Sequence, residues 1–249
     1  MFIHTDFLRA ALCCVADQSE ERCYLQGVNI TGTHIQACNG HAFVSMEHGC
    51  VADVKGVFII HGDIPGNAEG TLIQLVNEQW IASHMAEDSS WVGHNEVEFL
   101  ESKYPDLSKL IAGEPESCDT LPILQAKYLA LPYMMFSRDT NFIPVKFVSR
   151  GKGKPLQVLF DKSINYLYGN PQLIIMPMTE DTFERLEHST NQIIGAEMTA
   201  HDNEKAATNE KVAELVMFTL FFSSLAGLGL TAGFFCFIGF SHWLKGMIG

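Results

Sequence analysis

The 26 residues from Leu215 to Phe240, LVMFTLFFSSLAGLGLTAGFFCFIGF, carry no charged side chain, and this run constrains the chain more than any other feature. About 20 apolar residues are enough for a helix to cross a bilayer core. A buried core helix is rarely apolar on every face, so at this length the segment reads as membrane-spanning. Ser223 with Gly227, and Gly229 with Gly233, stand four apart, a spacing that lets helix backbones approach closely. Lys205 and Lys211 precede the run and only Lys245 follows it. No basic leader precedes FLRAALCCVA, so the expected topology is a single-pass C-terminal anchor with a cytoplasmic head.

The anchor with its short tail occupies 212–245. Before it, 179–211 is polar, mixed in charge and poor in aromatic residues, the composition of a tether, with helical spacing in TFERLEHSTNQII. Seven cysteines, an odd number without a C-x-x-C pair, suit a reducing compartment. The net charge of −13 opposes broad attraction to nucleic acid, because phosphate binding requires Lys and Arg to displace counterions.

Residues 1–178 repeat a texture. The strand FIH leads into a helix over DFLRAALCCVADQ, and the strands CYLQGVNI, THIQAC and HAFVSM follow, giving a β-α-β-β-β group. A second group runs VKGVFII, TLIQLV, WIASHM and NEVEFLES. Where its helix would fall, HGDIPGNAEG holds one proline and three glycines, which argues against a helix. A third group has the helix LQAKYLALPYMMFSR, which Pro132 should kink or split, then the strands IPVKFVS, PLQVLFD, INYLY and QLIIMPM.

Asn39-Gly40 predicts a two-residue type I′ hairpin turn between the second and third of the first group's later strands. His41 directly behind it either performs chemistry or lines a wall. The chain lacks G-x-S-x-G and H-E-x-x-H, and His34, His41, His48 and Cys50 form no metal-ligand spacing. A non-catalytic protein without cofactor or metal is therefore expected. Arg150, Lys152 and Lys154 cluster in a glycine-rich turn that lacks the ending of a phosphate-binding loop.

RCYLQGV, IQACNGHAFVSM, SKYPDLSKLI and LIIMPM, in that order, resemble four motifs of the bacterial DNA polymerase III beta subunit (sliding-clamp) family. There they take the forms R-Y-Y-L-N-G, A-T-D-G-H-R-L, F-P-D-Y and V-M-P-M. The resemblance implies an α+β clamp fold of β-α-β-β-β modules, truncated. Residues 1–113 would match the clamp's central domain and 114–178 part of its C-terminal domain. In that family the four motifs converge on a pocket for short peptides of replication and repair proteins. Position by position, that pocket would use Leu25, Gly40, His41, Phe43, Pro105, Lys109, Leu110, Met176, Pro177 and Met178, which makes His41 wall. Ala42 stands where the family has arginine and Cys38 where it has threonine, so the polar rim differs.

Clamp helices face duplex DNA, and the basic residues available for that role here are Arg9, Arg22, Lys127 and Arg138. The resemblance thus implies a membrane-tethered, clamp-like protein that binds clamp-directed peptide motifs. Two other readings stand beside it: an oligomeric, DNA-encircling processivity factor, and a decayed clamp fold in a membrane structural protein.

Overall fold

Runs of alternating apolar and polar residues become strands because each pleat sends successive side chains to opposite faces. The computed structural model describes residues 1–106, 108–110, 122–149, 151 and 153–226, grouped into two units, Met1–Glu180 and Asp181–Gly249. In the first unit the strands are β1 (Phe2–His4), β2 (Val28–Ile30), β3 (His34–Cys38), β4 (Ala42–Glu47), β5 (Gly56–Ile60) and β6 (Gly70–Val76). β7 (Gln79–Met85), β8 (Trp91–Leu100), β9 (Val145–Val148), β10 (Leu156–Phe160) and β11 (Gln172–Ile175) complete them. All pair antiparallel in one sheet ordered β1-β6-β7-β8-β5-β2-β3-β4-β11-β10-β9. The fold is thus a mixture of helices with one large antiparallel sheet, and the first strand of the first group pairs with β6 of the second.

Helix α1 (Thr5–Leu12) lies against β2, β3 and β4 and also meets α3 (Leu131–Phe136). It buries Leu8, Ala10 and Ala11. The helix ends at Leu12, six residues before the expected end at Gln18, and the chain turns away where Ala16 N–H donates to Leu25 O at 2.8 Å. Pro132 splits the next helical stretch into α2 (Ala126–Leu129) and α3, since proline is tolerated in a helix's first turn but not in its interior. Phe136 on α3 packs edge-on to Phe160 and Tyr168, with ring centroids 5.0 and 4.5 Å away. No helix occupies HGDIPGNAEG.

Two predicted strands are corrected. INYLY is part of helix α4 (Lys162–Leu167), because Asp161 caps it, accepting from Ser163 N–H at 3.1 Å and Ile164 N–H at 3.3 Å. Cys23–Leu25 forms a 3-10 turn, leaving only Val28–Ile30 extended. The turn after β3 also differs: Gly40 is the residue with positive φ (86°), in the first of two loop positions, as in a type II′ turn. Asn39 flanks the loop and accepts His41 and Ala42 N–H on its side-chain oxygen.

A polar chain crosses the sheet inside the core. Asn95 Nδ2 donates to His61 O and Asp63 O, so its Oδ1 faces His84 and accepts from Nε2–H at 2.7 Å. That leaves His84 Nδ1 to accept from the Thr71 hydroxyl at 2.9 Å, and Thr71 Oγ1 in turn lies 2.8 Å from Thr5 Oγ1.

In the second unit, α5 (Thr182–Ala226) is helical throughout, well beyond TFERLEHSTNQII and across the predicted tether. Among the described residues no helix is long and apolar enough to cross a membrane. Most of the expected span Leu215–Phe240 lies outside them, as does the expected domain boundary at 113/114.

Candidate peptide-binding site

The sheet's two faces differ around β3, β4 and β11. Ile35, Ala37, Ala42, Val44, Met46, Leu173 and Ile175 point to the face that packs with α1. The alternate residues point the other way and form two rungs. One rung is polar: Asn29 faces Gln36, Gln36 faces Ser45, and Ser45 faces Gln172. Asn29 Nδ2 donates to Gln36 Oε1 at 3.0 Å, and Gln36 Nε2 to Ser45 Oγ at 3.4 Å.

Two residues along each strand, the rung becomes apolar: Cys38 faces Phe43 and Phe43 faces Ile174. Such a rung requires cover. Leu25 supplies it from the 3-10 turn, with Ala16, Tyr24 and Tyr104 packed around it. Leu25 is 2% and Phe43 3% exposed, so the two predicted pocket residues meet, but as a filled cluster rather than an open slot. Burial pushes the Cys38 thiol pKa up, against the opposing pull of the Gly40 N–H and Arg22. This sulfur lines the cluster and accepts the Gly40 N–H at 3.3 Å.

The other predicted pocket residues surround that cluster to different degrees. Gly40 and His41 form the turn at the end of the rung; a Cβ at Gly40 would stand 3.3 Å from Arg22 Nη2. His41 O accepts Met176 N–H at 2.7 Å, which extends the β4–β11 register by one pair. The His41 ring is exposed and stacks on Tyr128, with centroids 5.7 Å apart at 28°. Met176 and Pro177 are half-buried, and Met178 is 39% exposed, its N–H donating to Ile123 O at 2.8 Å. Pro105 follows Tyr104 and is half-buried. Lys109 and Leu110 lie on a separate 3-10 turn, Ser108–Leu110, and Lys109 is exposed.

The four basic residues have partners. Arg22 Nε pairs with Glu20 at 2.7 Å, and its hydrogen bonds hold the Glu20 carboxyl below its usual range. Lys127 Nζ sits 4.8 Å from the centre of the Tyr128 ring. Arg9 binds Asp6 and the carbonyls of Pro65 and Ala68; Arg138 binds Asp6, Glu69 and Gly66 O. Arg9 and Arg138 therefore pin the 65–69 loop, where the second group lacks a helix. Their partners Asp6 and Glu69, with His4, are the described residues whose ligand atoms converge within 4.8 Å. The two guanidinium groups supply the positive charge there, so the cluster reads as an ion-pair network.

Sequence reasoning did not place Ile174, Tyr24 or Tyr104 in the site. The signal for Ile174 was available: register with Phe43 across β4 and β11 follows from period-two alternation. Tyr104 carried only its position beside Pro105.

No family model matches the chain, and no curated protein matches it. Among solved structures, it is similar to a crystal structure described as a 'putative DNA polymerase III beta subunit' from Eubacterium rectale. The TM-score is 0.47 and the identity 11%, over 73% of this chain and 65% of that one. The chain thus spans less than two thirds of that protein's length.

Proposed function

We propose that this chain is a sliding-clamp-like, non-catalytic protein that captures short apolar peptide motifs of replication or repair proteins, and that its C-terminal run holds the head at a membrane. The observation carrying the first part is the apolar rung Cys38–Phe43–Ile174, on the sheet face away from α1. At its end the backbone joins His41 to Met176, and half-buried and exposed apolar side chains follow at Pro177 and Met178. Methionine suits such a rim because its flexible thioether adapts to differently shaped anchors. Burying a peptide Leu and Phe would contribute about 1.5–3 kcal/mol each before ordering costs, which supports micromolar binding. The second part rests on the charge-free stretch Leu215–Phe240.

DNA encirclement has less support, since Arg9 and Arg138 already hold a loop and Arg22 a carboxylate. The test is anisotropy of a labelled Gln-Leu-Ser-Leu-Phe peptide against the full-length protein. Saturation in the micromolar range that weakens with Met178→Ala is expected. Absence of saturation at high micromolar protein would overturn the reading.

A further inference from the structure

Tyr104 combines two features that oppose each other. Its ring packs on the Leu25–Cys38–Phe43–Ile174 cluster and meets Tyr24 edge-on, with centroids 6.4 Å apart at 83°. Its hydroxyl, however, is buried and finds no hydrogen-bond partner among the described residues, where it is the one buried side-chain polar atom in that state. Burial alone, before any neighbouring charge, pushes the hydroxyl's pKa up, so it stays protonated. An unsatisfied buried donor costs about 1–3 kcal/mol, and a phenylalanine would make the same apolar contacts without that cost.

Backbone outside helices and strands opens more readily than laddered backbone, and Tyr104 sits on such backbone. β8 ends at Leu100, and residues 101–106 have no helix or strand. Glu101, Ser102, Lys103 and Asp106 are exposed on either side, so Tyr104 is the large side chain of this stretch turned inward to the cluster. Swinging it out would return the hydroxyl to water and uncover Leu25, Phe43 and Ile174.

We infer that Tyr104 is a displaceable stopper: its ring occupies the place on the apolar rung that an aromatic side chain of a bound peptide takes, and the partner gains access by replacing it. The inference rests on the peptide-binding reading above and names how that site is gated and which side chain it selects. Apparent affinity then scales with the fraction of molecules in which the ring is out. The buried hydroxyl keeps that fraction from vanishing.

The experiment compares full-length wild type, Tyr104→Phe and Tyr104→Ser by anisotropy with labelled Gln-Leu-Ser-Leu-Phe and with the same peptide ending in Ala. Removing the hydroxyl deepens the closed state, so Tyr104→Phe should bind the aromatic peptide at least about fivefold more weakly than wild type. Tyr104→Ser should bind it at least about fivefold more tightly, with the gain largely lost for the peptide ending in Ala. Equal affinities in all three proteins overturn the stopper and leave peptide binding standing. No binding by any of them overturns both. Should Tyr104→Ser fail to fold, Tyr104→Phe decides alone, because it keeps the packing: affinity equal to or above wild type overturns the inference.

Discussion

Arg138 Nε stands 3.2 Å from Asp6 Oδ1, and Arg9 Nη1 reaches the same oxygen at 2.8 Å, so one carboxylate ties the residue just beyond α3 to α1. The Asp6 side chain is 7% exposed. Losing this carboxylate breaks two charge-assisted bonds, each worth about 1.5–3 kcal/mol, although Arg9 keeps the Pro65 and Ala68 carbonyls and Arg138 keeps Glu69. Asp6→Asn should therefore lower the urea midpoint markedly, whereas Arg138→Ala, whose side chain is one third exposed, should cost about 1 kcal/mol. Equal losses would contradict this ordering.

His84 provides a pH dependence with a definite sign. Burial, the largest effect, lowers its pKa from 6.5 and outweighs the raising effect of the Asn95 bond, while Arg9 and His94 lower it further. The unfolded chain thus takes up a proton before the folded one does. Stability from this group is complete above about pH 6.5 and falls as pH drops through the folded-state value. Denaturant midpoints at pH 8, 6.5 and 5 should show a decline confined to the acid side, and His84→Gln should flatten it.

Gly169 and Gly153 make a matched pair. Both have positive φ, 58° and 68°. A Cβ at Gly169 would overlap the Glu47 carbonyl, while at Gly153 it would meet nothing within 4 Å. Gly153→Ala should cost about 1 kcal/mol, the ordinary strain of a left-handed alanine. Gly169→Ala should cost several times more, because the clash falls where Glu47 N–H donates to Gly169 O at 2.8 Å. Thermal melts of the two variants distinguish them.

Stability and binding should separate within the candidate site. Phe43→Ala empties the centre of the apolar rung and should cost about 3–5 kcal/mol. Met178→Ala, on an exposed side chain, should leave the melting temperature within about 1 °C of wild type and still reduce peptide affinity. If both variants act only on stability, the rung is purely a core.

The sheet was legible because period two survives wherever one face is buried: β3, β4, β6, β7 and β10 fall where alternation puts them. INYLY was misread for a physical reason. Isoleucine and tyrosine favour strands, but Asp161 before the segment and Gly169 after it, with φ of 58°, fix a short helix by capping at one end and a left-handed stop at the other. Local end signals there outweighed side-chain preference. The type II′ turn at Gly40 was hidden because Asn39 accepts two backbone N–H groups on its side chain and stays outside the loop's two central positions. The cover over the rung was least visible of all. Leu25 and Tyr104 come from stretches without alternation, and only a folded sheet brings residues 79 positions apart to one apolar row.

Among the described residues the sheet's outermost strands are its shortest kind: three residues in Phe2–His4 and four in Val145–Val148. A margin that brief presents only a couple of outward amide and carbonyl groups to a passing chain, and Lys146 adds charge to one of them. Eleven ribbons side by side would otherwise be an inviting template for fibril growth. Trimmed hems let so broad a β surface exist at high local concentration without recruiting its neighbours.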